Sequence, residues 1–297
     1  MNPSRTLRAS ALALAVLGTH AHADENLFGY ARGSETLPQG SFELYQFVTH
    51  RSDKGEGTYR ATDYLTELEY GVTNRLTVSG AVKLMSLTTS GLLIDGYLPG
   101  DKSFDLKPAG FSLEAKYNFL SPAKDDIGLS GTFEFTRNTV DPHSGQKKKA
   151  NKFELGAQLQ KYFAEGQVVW VTNAALEATY AKRAAISNLP EDFEWSTEPE
   201  VEIETKLSTG LTYRFAPGWF IGAETQYEAE YETDVGKERW SVFAGPSLHY
   251  GAKDWWVTLT WFKQVRGGGE KYEGQTEKLH LIEKTKQEIR LKVGFNF

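Results

Sequence analysis

Cysteine is missing from all 297 residues, and methionine occurs only twice. Without thiols there are no disulfides, no thiolate metal sites and no cysteine nucleophile. Long apolar runs are also lacking. The longest, Ala9–Gly18, is too short for a bilayer-spanning helix, which needs ~20 apolar residues, so a helical membrane protein is excluded. Basic charge is in deficit, with 33 Lys and Arg against 39 Asp and Glu. A net charge of −6 makes nucleic acid an improbable partner. Histidine is scarce too. His50, His143, His249 and His280 are scattered along the chain beyond the first 23 residues, without metal-ligand spacing, so no cofactor or metal is expected.

What the chain does have is alternation. In Glu288–Phe297, Ile289, Leu291, Val293, Phe295 and Phe297 alternate with Glu288, Arg290, Lys292, Gly294 and Asn296. In 201–215, Val201, Ile203, Leu207, Leu211, Tyr213 and Phe215 share one parity, against Glu202, Glu204, Lys206, Ser208, Thr212 and Arg214. In 219–231, Trp219, Ile221, Ala223, Tyr227 and Tyr231 oppose Glu224, Gln226, Glu228 and Glu230. A period of two puts each set on its own face of a strand. Soluble strands average ~5–6 residues, and these run far longer. Long strands with one apolar and one charged face fit a transmembrane barrel with a wet lumen. A soluble β-protein is the weaker alternative. The 38 aromatic residues, many at strand ends, suit interfacial girdles.

Twelve strands are expected, near 41–51, 59–70, 75–89, 110–120, 127–138, 152–163, 168–183, 200–215, 219–232, 239–250, 255–266 and 280–297. Short turns at Gly71–Asn74, Ser121–Asp126, Ala164–Gly166, Ala216–Gly218 and Gly251–Asp254 alternate with longer polar connections. The expected fold is therefore all-β: one antiparallel barrel at 40–297, with short periplasmic turns and longer extracellular loops. Residues 1–23 read as a cleaved signal peptide. They carry Arg5 and Arg8, the apolar stretch Ala9–Gly18 and a cleavage site at Ala21-His22-Ala23, and losing them takes the charge from −6 to −8. Residues 24–39 read as a periplasmic lead-in. Pro246 should disturb its strand, Lys161 and Lys263 should snorkel from the apolar parity, and the first strand is ambiguous between Phe42/Leu44 and Tyr45/Phe47 as its outer face.

The candidate site is the lumen, lined by Glu202, Glu204, Lys206, Arg214, Glu224, Glu228, Glu230, Glu288, Arg290 and Lys292. Charge rings of this kind select solutes by sign. Twelve strands lie between the eight that side chains fill and the sixteen that leave a channel, so an open and a plugged lumen both remain. The functional expectation is a narrow porin or passive transporter of a small solute. The alternative is a structural or surface-interaction protein acting through Asp141–Lys149 and Leu189–Glu200. Lys147, Lys148 and Lys149 could meet lipopolysaccharide phosphates, and Glu191, Asp192, Glu194, Glu198 and Glu200 surround Trp195, but solvated loops explain both. Gly267-Gly268-Gly269 reads as a flexible hinge. An enzyme, the least favoured class, lacks a constellation: Ser247 and His249 lie ~6.6 Å apart along a strand, and His143 merely precedes Ser144.

The terminal Phe295 and Phe297 resemble the assembly signal of bacterial outer-membrane barrels. This implies a Gram-negative outer membrane, its lipids and the barrel-assembly machinery as partners. The stretches Glu25–Gly40, Glu67–Arg75, Tyr117–Asp125, Leu176–Arg183, Gly245–Phe262 and His280–Phe297 resemble a family of uncharacterised proteobacterial outer-membrane proteins, a domain of unknown function. More loosely, phrases such as Tyr70-Gly71-Val72-Thr73 resemble barrels linked to aromatic-degradation pathways, which implies transport of hydrophobic solutes. The His…Ser-Asn-Gly neighbourhood of twelve-stranded outer-membrane phospholipases is not found.

Overall fold

Alternation carried through strands of ten to twenty-four residues leaves one economical arrangement, a sheet closed on itself. The computed structural model describes residues 26–94, 97–185, 196–232 and 236–297. It is a closed antiparallel barrel of twelve strands, each paired with its sequence neighbours. They are β1 (Phe42–Ser52), β2 (Glu56–Thr73), β3 (Leu76–Ile94), β4 (Tyr97–Leu120), β5 (Gly128–Val140), β6 (Lys147–Phe163), β7 (Val168–Arg183), β8 (Glu200–Ala216), β9 (Trp219–Glu232), β10 (Gly236–Gly251), β11 (Trp255–Gly268) and β12 (Gln287–Asn296). β1 closes on β12 from Glu43 opposite Asn296 to Ser52 opposite Gln287. Phe42 and Phe297 seal the seam by exchanging two backbone hydrogen bonds, at 2.9 and 3.0 Å.

The outward face is apolar. Leu113, Leu155, Leu176, Leu207, Ile221 and Leu259 are all exposed, an arrangement that fits hydrocarbon and not water. In β1 the ambiguity resolves by burial. Phe42 is exposed, whereas Glu43 and Tyr45 are buried in the lumen, and Phe47 lies beneath the Lys292 ammonium at 4.8 Å. At Pro246 the β10–β11 register stops at Ala244 and resumes at Ser247, and a bulge falls between Val242 and Phe243.

Several boundaries differ from the expectation. Much of the expected third-strand connection is strand, because β3 and β4 continue to Ile94 and from Tyr97. The lysine run opens β6 instead of lying in a loop, so Lys148 points inward while Lys147 and Lys149 stay exposed. The last strand begins at Gln287, not at 280, and Leu281 and Ile282 are buried inside the barrel. Their apolar character mimics a strand but serves an inward fold. Of residues 24–39, read as a periplasmic lead-in, the described part from Asn26 runs inside the wall, with Phe28, Ala31 and Ser34 fully buried, and Pro38 and Gln39 are exposed. The expected signal peptide and Trp195 with the acidic residues Glu191, Asp192 and Glu194 lie outside the described residues.

Leu291 faces outward and Lys292 is buried in the lumen. An arginine on the outward face near mid-bilayer costs ~2–4 kcal/mol, whereas Lys292→Gln stays among polar groups. We expect Leu291→Arg, and deletion of Phe297 with its two seam bonds, to lower outer-membrane yield severalfold. Lys292→Gln should assemble normally. Heat-modifiable gel migration checks this, and equal yields of Leu291→Arg and Lys292→Gln would reverse the assigned faces.

Candidate functional site

The lumen is built on one register. Glu43 faces Glu69, and Glu69 faces Ser79. Ser79 faces Glu114, which begins an unbroken series: Glu114–Glu134, Glu134–Glu154, Glu154–Glu177, Glu177–Glu204 and Glu204–Glu230. Glu230 then faces Arg239. A cross-strand row in a sheared barrel climbs as it goes round. This one climbs from Glu43, near the turn end, to Glu230, near the loop end. Like charges directly opposite one another are destabilising, so the row stands only with cations set against it.

Those cations come from three places. Wall lysines supply the middle: Lys83 lies 3.6 Å from Glu134, Lys152 lies 2.7 Å from Glu177, and Lys206 bridges Glu154 and Glu177 at 3.1 and 3.4 Å. The inserted N-terminal segment supplies the lower part, where Arg32 holds both oxygens of Glu114 at 2.6 and 2.8 Å. The β11–β12 connection, residues 269–286, supplies the top. Its Lys284 lies 2.6 Å from Glu228, 3.6 Å from Glu204 and 3.8 Å from Glu230. Arg239 meets Glu230, Glu238 and Glu283 there, at 2.8, 2.8 and 3.5 Å.

The N-terminal segment crosses the bore. The Glu224 carboxylate accepts the backbone N–H groups of Gly29, Tyr30 and Ala31 at 2.8–2.9 Å, and the Thr260 hydroxyl at 2.9 Å. Tyr30 donates to Glu288, stacks on Phe262 at 4.1 Å, and lies under the Arg290 guanidinium at 3.8 Å. Arg290 also donates to Gly29 O and Thr49 Oγ1, and Lys292 to Asn26 Oδ1 and Phe28 O. On the far wall Asn173 exchanges bonds with Arg32, Lys116 donates to Gly33 O, and Gln160 accepts from Ser34. Phe28 packs with Leu27, Val169 and Val171. A Cβ at Gly210 would stand 2.7 Å from its ring, so that glycine makes room for the plug.

The loop end is closed by the inward fold of 269–286. Ile282 joins Tyr59, Ala61, Met85 and Leu87 in an apolar layer. Pro142 reaches the same level, its carbonyl accepting from Tyr59 and Arg51 at 2.7 and 3.2 Å. Gly267, expected as a hinge residue, is a close-approach point, since a Cβ there would lie 2.4 Å from His280 N. Gly269, at φ +115°, is where the chain turns back.

Of the ten lumen candidates, the structure gathers Glu204, Glu228 and Glu230 around Lys284, and Glu224, Glu288, Arg290 and Lys292 around the N-terminal segment. Glu202 lies 3.9 Å from Lys148, Lys206 sits mid-row, and Arg214 lies low on β8 opposite Phe220. Phe295 and Phe297 face outward at the seam. Sequence reasoning missed Glu43, Glu69, Glu154 and Glu177 as members of the row, and Arg32, Arg239, Glu283 and Lys284 as partners. The inward parity of the row was readable, but its register was not. His249 bonds Thr258 Oγ1 at 2.7 Å, and Ser144 bonds Asp141 at 2.8 Å, so neither Ser–His neighbourhood forms a nucleophile pair.

His280 lies wholly buried in this closure, and burial holds its imidazole down at about 3 against an ordinary 6.5. Facing it are Glu283 and Lys284 on its own loop, Arg239 on β10, Glu228 and Glu230 on β9, and Lys54 between β1 and β2. A depressed histidine makes docking of the loop complete above pH 6.5 and progressively weaker as pH falls toward 3. We expect the lifted-loop population to rise about tenfold per pH unit below ~6, read as thiol labelling of Ile282→Cys after equilibration at each pH. His280→Gln should flatten that part of the profile. Separately, Glu224→Ala removes the acceptor of four hydrogen bonds, each worth ~1.5–3 kcal/mol when charged. Labelling of a buried Ala31→Cys should then rise at least tenfold, and an unchanged rate would show that Glu224 does not hold the segment.

The family model that matches, over residues 20–297, describes a family of unknown function, DUF6662. No functionally curated protein matches the chain. Among solved structures, an outer-membrane channel from Pseudomonas putida F1 superposes with a TM-score of 0.58 at 16% identity, over 89% of this chain and 98% of that one. The translocator domain of autotransporter NalP from Neisseria meningitidis gives 0.55 at 13% identity, over 89% and 91%. The beta domain of the Bordetella autotransporter BrkA gives 0.57 at 11% identity, over 87% and 100%. These likenesses establish the fold of an outer-membrane β-barrel.

Proposed function

The chain belongs to this family of unknown function, and we propose that it is an outer-membrane channel for small solutes, shut at rest by two inserted segments. The observation that carries this reading is the construction of the closure. Carboxylates set directly opposite one another need cations beside them, and a wall that only filled its interior could carry all of those cations on its own strands. Here the lumen holds a continuous carboxylate row neutralised partly by Arg32 and Lys284, which sit on segments that are not wall. Exchanging such cations for solvent or solute opens a polar path without breaking a single strand pair.

Solutes would pass when residues 269–286 lift and the N-terminal segment withdraws. Export through a signal peptide cleaved after Ala23 would leave residues 24–39 as the mature start, able to seat from the periplasmic side. Selectivity follows the closure. With Lys284 in place the outer glutamates are neutralised, and without it Glu204, Glu228 and Glu230 focus negative potential and favour cations. Lys147, Lys149 and Lys182 point outward at the loop end of β6 and β7, and Lys149 faces Lys182 directly. A like-charge pair above an apolar belt suits lipopolysaccharide phosphates as a partner. Phe295 and Phe297 fit recognition by the assembly machinery. No catalytic role is proposed.

Liposome swelling tests the channel. Wild-type vesicles should swell slowly to small sugars and amino acids. Removal of 24–39, or replacement of 271–285 by a short Gly-Ser turn, should each raise the rate modestly, and both together by at least tenfold. A correctly folded double variant that stays impermeable would favour a structural or surface-interaction protein instead.

A further inference from the structure

The carboxylate row has a property that simple filling does not require. Glu114, Glu134, Glu154, Glu177, Glu204 and Glu230 occupy one cross-strand row on six consecutive strands, so successive carboxylates are spaced by neighbouring strands, ~4.8 Å. Each of its two ends is met by a side chain that does not belong to the wall, joined at the outer end by Arg239 of β10. Arg32 grips Glu114, and the Lys284 ammonium sits among Glu204, Glu228 and Glu230. A lysine tip is an alkylammonium on a flexible stem, and here it meets Glu228 at hydrogen-bond distance and Glu204 and Glu230 as looser ion pairs. The geometry therefore already describes how such a group is received.

A second observation lies at the outer end of the row. The tightly packed niche around Lys284 is lined by Glu228, Glu230, Arg239, Trp240, Ser241 and His280. Ser241 Oγ and both ring nitrogens of His280 are buried there, each residue 1% exposed, and have no hydrogen-bond partner. Buried polar atoms of this kind ordinarily find a partner. A hydroxyl oxygen and one nitrogen of a neutral imidazole are acceptors, so this lining offers an incoming ammonium further acceptors beside the carboxylates.

We propose that the row is a binding path for alkylammonium solutes such as short diamines, and that Lys284 is a tethered stand-in for the solute at its outer entrance. The loop then closes the barrel by occupying the solute's own site, and a free amine opens it by competition. The carboxylates below hand the ammonium inward along the row, each step about one strand spacing. Wall lysines at Glu134, Glu154 and Glu177 lower the net charge, so that no single site holds the cation too tightly to release it. Passage rests on the channel reading, but binding does not.

Cadaverine is the probe, because its end reproduces a lysine tip. Calorimetry on the full-length barrel in detergent compares wild type, Lys284→Met, and Lys284→Met combined with Glu204→Gln, Glu228→Gln and Glu230→Gln. A tethered competitor acts at an effective concentration in the millimolar range. Lys284→Met should therefore bind cadaverine at least tenfold more tightly than wild type, and the added glutamine substitutions should abolish the gain. Equal binding by wild type and Lys284→Met, or a gain that survives the glutamines, would overturn the proposal. So would equal competition by Mg²⁺ at matched ionic strength, which would mean screening and not ammonium recognition.

A second measurement keeps Lys284. In Ile282→Cys, the single thiol of the protein is buried until the loop lifts. Millimolar cadaverine should accelerate its labelling at least threefold, while glutarate at the same ionic strength should not. No acceleration would overturn competition by the amine. Tight binding by Lys284→Met in a protein that stays impermeable would refute the channel reading and leave the amine site standing. Conduction without amine binding would do the opposite.

Discussion

Everything inside this barrel depends on setting cations against a row of opposed carboxylates. Glutamates directly across from one another on six adjacent strands repel in a low-dielectric lumen, and the closed wall gives them no means to move apart. The wall supplies Lys83, Lys152 and Lys206 for the middle of the row and Arg239 at its upper end. Arg32 and Lys284 complete it, and both ride on segments that could leave without disturbing a strand pair. The closure is thus a condition of the electrostatics as much as a lid on a hole. It also explains why the inserted backbone is so fully bonded. Glu224 alone engages three successive amides, and Arg290, Lys292, Lys116, Asn118 and Asn173 hold nearby carbonyls.

Apolar packing divides the same space into levels. The lower cluster joins Leu27, Phe28 and Ala31 to Val169 and Val171, and the upper cluster joins Ile282 to Tyr59, Met85 and Leu87. Each plug therefore presents an apolar anchor and a charged tip, and the carboxylate row runs between the two anchors. Hydrophobic burial fixes where each segment sits, and ion pairing fixes how it faces. Burial of this kind is insensitive to salt, whereas the ion pairs are partly screened, so the two contributions separate experimentally.

The wall was legible in the sequence because a strand's two faces differ in parity, and parity survives in a list of residues. Strand number, outward belt and inward glutamates follow from Leu291 against Lys292, or Ile221 against Glu224, with no structure at all. The interior was not legible, for two physical reasons. Register across a closed sheet depends on shear, which no single strand encodes, so Glu154 and Glu177 could not be aligned with Glu204. Inserted segments have no period of their own. Ile282 and His280 read as the start of a strand because an apolar residue bound for the lumen looks the same as one bound for lipid. Residues 24–39, rich in turn formers, read only as a periplasmic lead-in, and nothing in their spacing marked Phe28, Tyr30 and Arg32 as grips on the wall.

The position of the N-terminal plug in the chain dictates an order of assembly. It precedes β1, and although residues 36–40 bond the β2–β3 hairpin at Gly71, Asn74 and Thr77, the partners of 26–34 lie on β4, β6, β7, β9, β11 and β12, so no early strand pair can receive that part. It can settle only once Glu114, Asn173, Glu224 and Arg290 face one another across a finished ring. Seating of Tyr30 and Arg32 is therefore a late event that reports completion of the wall. A barrel with an unsealed β1–β12 seam would leave this segment exposed, and a finished one hides it.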